Sequence, residues 1–206
     1  MAAREETLEK PVIDGRNLRS QRTQAAIARA YLELTDLGEL RPSAGKIAER
    51  AGVSERAVFR HFQDMESLSS AVAKLQLARV NRDLPRLADP AAPFEERLAS
   101  YLHRWTWVHE RTTTLRRAAL LAEPFSAEIQ RRHAAARKAR VRDFELLFAS
   151  ELERIARTGR DDIVEAASAA MSWAAWNHMR RYRGLSVARA TQVVARTLTA
   201  LLARRG

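Results

Sequence analysis

Arg56, Arg60 and His61 fall close together inside one short stretch, KIAERAGVSERAVFRHF, running from Lys46 to Phe62. Arginines near the start of a short helix suit one kind of chemistry. A planar guanidinium donates to guanine edges in a major groove or to phosphate oxygens. The rest of the chain offers little that competes. Its five histidines are scattered and none stands at metal-ligand spacing with a carboxylate, so no metal site is expected. There is no cysteine, which removes disulfides and thiolate ligands. No nucleophile–base pair and no phosphate loop is visible, so neither an enzyme nor a cofactor is expected.

Those arginines need elements that hold them outward. Only 7 Gly and 6 Pro, with many Ala, Leu, Arg and Glu, point to an all-α protein, and 46% hydrophobic residues argue against disorder. From Ser20 the chain reads as a helix with Ile27, Ala30, Tyr31 and Leu34 on one face. Gly38 stops it. Ser43 caps a short helix through Ala51, Gly52 and Val53 make a turn, and Ser54 caps a second short helix to about Phe62. Two short helices joined by a glycine turn form a helix-turn-helix pattern. With Ile47, Ala51, Val53, Val58 and Phe62 facing inward, the second helix turns Glu55, Arg56, Ala57, Phe59, Arg60 and His61 outward.

In order, the Ile-Ala pair, Ala-Gly-Val-Ser, the aromatic-x-His-Phe ending and the Glu-x-Leu that follows resemble the DNA-binding segment of the TetR (tetracycline-repressor-type) family of transcriptional regulators. The resemblance covers about Leu18 to Leu75. It implies that the helix from Ser54 to His61 is the recognition helix. Ser54, Glu55, Arg56 and Ala57 then stand at base and nearby backbone contacts, Phe59, Arg60 and His61 at aromatic and phosphate contacts, and Ser43 at a phosphate-touching cap. Two residues depart from the family pattern. Phe59 stands where a tyrosine hydroxyl commonly meets phosphate, and Met65 where a lysine commonly clamps it. Lys46, Arg19 and Arg22 are then expected to supply backbone charge.

The organisation expected from these readings is a disordered tail at 1–15, a helix-turn-helix domain at 16–64, a connecting helix at 65–84, and a larger helical domain at 85–206, about nine helices in all. The proline-containing segment Leu84 to Pro93 is the candidate connection. Further helices are expected near 94–110, 114–122, 126–157, 161–182 and 186–203, with stops at Pro124, Gly159 and Gly184 and caps at Ser126, Asp161 and Ser186. Net charge is +11, but it does not mark the motif. Residues 1–80 hold 13 Lys and Arg against 11 Asp and Glu, and the remainder 23 against 14.

In the larger part, aromatic residues recur at helical spacing. Tyr101, Trp105, Phe144, Phe148, Trp173 and Trp176 are candidate ligand-lining residues, with Asn177 or His178 as polar anchor and His103 and Glu123 as lesser candidates; the same residues are equally read as core. The run RRHAAARKARVR, Arg131 to Arg142, reads as a solvated face, with an acidic ligand or acidic partner protein as the other readings. Val187, Ala190, Val194, Leu198 and Leu201 form an apolar stripe, and the resemblance implies that the last two helices dimerise as a four-helix bundle. The function implied is a homodimeric repressor that leaves a palindromic double-stranded operator when a small-molecule effector binds. The alternative is a DNA-binding regulator controlled by a protein partner or without a ligand. With no signal peptide or membrane span in the sequence, a cytoplasmic location is expected.

Overall fold

A computed structural model describes residues 15–120 and 123–203, and the expectation of a disordered tail lies almost wholly outside them. The regular elements among the described residues are all helices, without a strand, in line with the expected all-α class. They divide into two compact units between Leu75 and Gln76, inside one helix. No helix among them is long and apolar enough to cross a membrane.

The first unit holds α1 (Gly15–Asp36), α2 (Ala44–Ala51), α3 (Glu55–His61) and the beginning of α4 (Met65–Arg82). Helix α1 buries Ile27, Ala30, Tyr31 and Leu32, and packs against both short helices. Its buried Thr35 hydroxyl donates back to the Tyr31 carbonyl at 2.8 Å, which removes an orphan polar group from the core. Ile47, Ala48, Val58 and Phe62 close the same core from α2 and α3. Asp64 starts α4: its carboxylate accepts from the Ser67 N–H at 2.7 Å, and that bond lowers its pKa.

The second unit contains α5 (Phe94–Leu120), α6 (Ala127–Leu147), α7 (Ala149–Glu153), α8 (Arg157–Ala170), α9 (Trp173–Asn177) and α10 (Val187–Leu202). The segment from Leu84 to Pro93 belongs to this unit. It is fastened to α5 by the Ala88 N–H donating to Ser100 Oγ and by Arg104 donating to the Pro85 carbonyl. Helix α5 lies against α6, α9 and α10, and α8 against α6 and α10.

Several boundaries differ from the sequence reading, each for a local reason. The two helices expected over 94–122 are one. The break expected in the threonine-rich stretch does not occur, because Thr106, Thr112 and Thr113 donate to carbonyls four residues back and stay within the helix. Gly159 does not stop a helix; it lies in the first turn of α8, and Asp161 is internal to that helix instead of its cap. The long helix expected over 126–157 ends at Leu147, with α7 following as one short turn. Ser172 breaks the helix expected over 161–182 by accepting from the Ala175 N–H, which starts α9 afresh. Ser126 and Ser186 do cap α6 and α10.

The apolar stripe of α10 also needs correction. Ala190, Val194 and Leu198 are fully buried against the unit's own core, and Leu201 is half-buried. They are therefore not an exposed patch that awaits a partner. The outward face of α10 is one step round the helix, at Val193, Thr197 and Ala200.

Candidate functional site

The turn between α2 and α3 is built locally. Gly52 adopts φ 67° and ψ 35°, a left-handed conformation that costs an L-residue about 1–2 kcal/mol. Its N–H donates to the Glu49 carbonyl at 3.2 Å and the Val53 N–H to the Ala48 carbonyl at 3.0 Å, so two free carbonyls of α2 are satisfied as the chain reverses. Nothing stands within 4 Å of where a Gly52 Cβ would be, so the backbone angle, and not crowding, calls for glycine. Ser54 then accepts from the Ala57 N–H at 3.2 Å and starts α3. Gln24 of α1 donates to the His61 carbonyl at 3.4 Å and holds the other end of α3.

With both ends tied, α3 presents one outward face. Arg56, Phe59 and Arg60 are one turn apart at i, i+3 and i+4, and all three are exposed. Neither arginine has a carboxylate partner among the described residues. Phe59 is 53% exposed, an unusual position for a large aromatic ring and one suited to a sugar or a thymine methyl.

The remaining expected residues divide. Ser43 accepts from the Lys46 N–H at 3.3 Å, as a cap should; it and Ser54 keep a hydroxyl proton to donate. Lys46 is already paired, its Nζ 2.6 Å from Glu39 Oε1. Glu55 leans back toward the start of α2, its Oε2 3.6 Å from where a Gly45 Cβ would stand. His61 is half-buried. Ala57 is corrected: it is 7% exposed and faces the core beside Val58, because 100° per residue carries position 57 inward when 56 and 60 face out.

The aromatic residues of the second unit do not form a single group. Tyr101, Phe144 and Phe148 pack on one another with ring centroids 5.0–6.0 Å apart and are fully buried toward one end of α5. Trp173 and Trp176 lie toward the other end, where their indole N–H groups donate to Thr113 Oγ1 at 3.1 Å and Glu110 Oε1 at 2.7 Å. Trp105 stands between. Asn177 is occupied, its Oδ1 accepting from Arg117 at 3.0 and 2.7 Å. His178 and His103 are exposed, and Glu123 accepts from His133 Nδ1 at 2.7 Å.

Sequence reasoning missed the buried charges beside these rings. Arg97 is 6% exposed and meets Glu151 through two hydrogen bonds, at 2.7 and 2.8 Å. That pairing raises the arginine's pKa and lowers the carboxyl's. Arg104 likewise meets Asp143, at 3.1 Å. Arg140 is 2% exposed and has no such partner. His109 is also buried; its Nε2 lies 2.9 Å from the Met171 carbonyl, so that nitrogen carries the proton, and burial pushes the pKa down to about 3. A signal was present in the spacing. Arg140 shares a helix face with Phe144 and Leu147, and His109 with Leu102 and Trp105.

Residues 42–72 match the family model described as bacterial regulatory proteins, tetR family. No curated protein and no solved structure matches the chain. The matched span contains Ser43, the glycine turn, all of α3 and the first residues of α4.

Proposed function

We propose that the chain, whose residues 42–72 match the tetR family model, is a DNA-binding repressor of that type that a small-molecule ligand releases from a palindromic operator. The observation that carries the reading is the outward face of α3, where Arg56, Phe59 and Arg60 stand together and neither arginine has a carboxylate partner among the described residues. Arg56, nearer the N-terminus of α3, takes a base edge, and Arg60 takes phosphate. Ser43 and Ser54, through their hydroxyl protons and the helix N-termini they cap, add backbone contacts, and Lys46 joins them by exchanging Glu39 for phosphate.

A single seven-residue helix reads few base pairs, so the working form is a homodimer with two such helices spaced for successive major grooves. The outer faces of α8 and α10 are the proposed interface. Ala169 on α8 and Val193, Thr197 and Ala200 on α10 are exposed and small enough to let helices of a second copy approach closely. The exposed basic residues Arg137, Lys138 and Arg142 of α6 favour a second reading, in which an acidic partner protein supplies the control.

The test is a titration against an operator selected from random duplexes, beside unselected DNA, at several salt concentrations. Preference for the selected duplex with a stoichiometry of two chains per palindrome is the expected result. Equal affinity for both duplexes would sink the operator reading.

A further inference from the structure

Helix α5 carries Trp105, His109, Thr113 and Arg116 at intervals of three and four residues, a single face turned toward α6 and α9. Three donors there lack an acceptor. The Nε atoms of Arg116 and Arg140 and the indole Nε1 of Trp105 are buried with no hydrogen-bond partner. Buried N–H groups are nearly always satisfied, so these three mark where acceptors belong, and they are linked through Arg140, which lies over the Trp105 ring and whose charge reaches Arg116.

The charges tell the same story. Neither Arg116 nor Arg140 forms an ion pair among the described residues. Each is close enough for the Arg140 charge to depress Arg116, whose pKa burial pushes down to about 10, and Arg137 adds to the repulsion. Among the described residues, the carboxylate that acts on Arg116 is Glu123, and it is committed to His133. His109 stays neutral and gives its proton to a carbonyl, so it supplies no negative charge. Indole faces provide partial compensation: Arg140 lies 5.8 Å from the Trp105 ring centroid and Arg116 5.3 Å from that of Trp173. Elsewhere on α5, Arg97 and Arg104 each have a carboxylate, from α7 and α6. The fold therefore matches its buried arginines where it needs them only for structure.

We propose that this interior layer binds a small organic carboxylate, its oxygens held by Arg116, Arg140 and the Trp105 indole N–H and its apolar body flanked by the Trp105 and Trp173 rings. The inference rests on the ligand-release reading above and gives that ligand its chemical class. A guanidinium matches a carboxylate in shape as well as charge, and indole rings favour an apolar monoanion over a dianion such as phosphate. With Arg140 only 2% exposed, a side chain of another protein cannot reach it without opening the unit, so the occupant is small.

The experiment uses the full chain with benzoate, cinnamate and octanoate, each beside its uncharged primary amide, and reads tryptophan fluorescence and thermal melting. Saturable quenching and a raised Tm with at least one acid, and none with its amide, are expected. Arg140→Met, checked for native helicity by circular dichroism, should weaken that acid by about tenfold or more, and Arg116→Gln should weaken it in the same direction. Amides that bind as well as acids, acids unaffected by either substitution, or no response to any acid would each overturn the proposal. Operator titration is run separately. An acid that binds through Arg140 yet leaves DNA affinity unchanged upholds the carboxylate site and ends the release reading. A neutral compound that releases DNA, with no acid bound, does the reverse.

Discussion

The molecule keeps arginines without carboxylate partners in two regions, and the two situations are opposite in energy. On α3, Arg56 and Arg60 are exposed, so water solvates them and the fold bears almost no cost. Between α5 and α6, Arg140 has lost its water without gaining a counter-charge, and half-buried Arg116 has lost part of its own; a fully buried ion costs several kcal/mol, even after relaxation. The first arrangement suits a polyanion that comes to the surface. The second suits an anion that enters. Arg97 is the internal control, also buried but closed by Glu151 and by the Ala92 and Leu147 carbonyls.

The comparison breaks most sharply at that control. Glu151→Ala leaves the Arg97 guanidinium buried with only the Ala92 and Leu147 carbonyls and no counter-charge, and should lower stability by about 3–5 kcal/mol in a denaturant melt. If the loss is under about 1 kcal/mol, burial of Arg97 does not exact the cost that the comparison assigns to Arg140. Arg140→Met should do the opposite and raise the stability of the ligand-free protein, by about 1–4 kcal/mol, since it removes a charge that nothing neutralises. A destabilised Arg140→Met protein would mean that the Trp105 face and its surroundings already satisfy the cation.

Arg56→Ala tests the exposed side. Stability should stay within about 0.5 kcal/mol of the parent, while affinity for the selected operator falls by about 1–3 kcal/mol and base preference relaxes. Measured together by melting and DNA titration, those two numbers separate an arginine kept for a partner from one kept for the fold.

The smallest effect concerns pH. Burial holds the His109 pKa near 3 in the fold, against 6.5 for an ordinary histidine. Between those values the unfolded chain binds the extra proton, so this residue costs nothing above about pH 6.5 and stability declines as pH falls below it, by up to about 1.4 kcal/mol per pH unit. His109→Gln should flatten the decline between about pH 4 and pH 6. An unchanged slope would show that His109 is protonated in the fold or opens to water.

What could be read from the chain alone was set by short-range physics. Ser43, Ser54, Ser126 and Ser186 cap helices because a hydroxyl reaches an N–H three residues on, and Gly52 turns because only glycine takes a left-handed φ without a Cβ clash. The α2–turn–α3 motif is made almost wholly of such rules, so its limits and its outward arginines were legible, apart from Ala57, which helix rotation carried inward. Tertiary structure decided everything that depends on which neighbour a face meets. Val194 and Leu198 read the same whether their own unit or a second copy covers them, and packing gave them to their own unit. Arg140 sits in a run of basic residues that look uniformly solvated, yet the register of α6 against α5 took this one inside, next to Trp105 and away from any carboxylate. A pattern of side chains along a helix specifies the direction of each charge around the axis, but only the packed fold determines whether water, a carboxylate or an unfilled place stands in that direction.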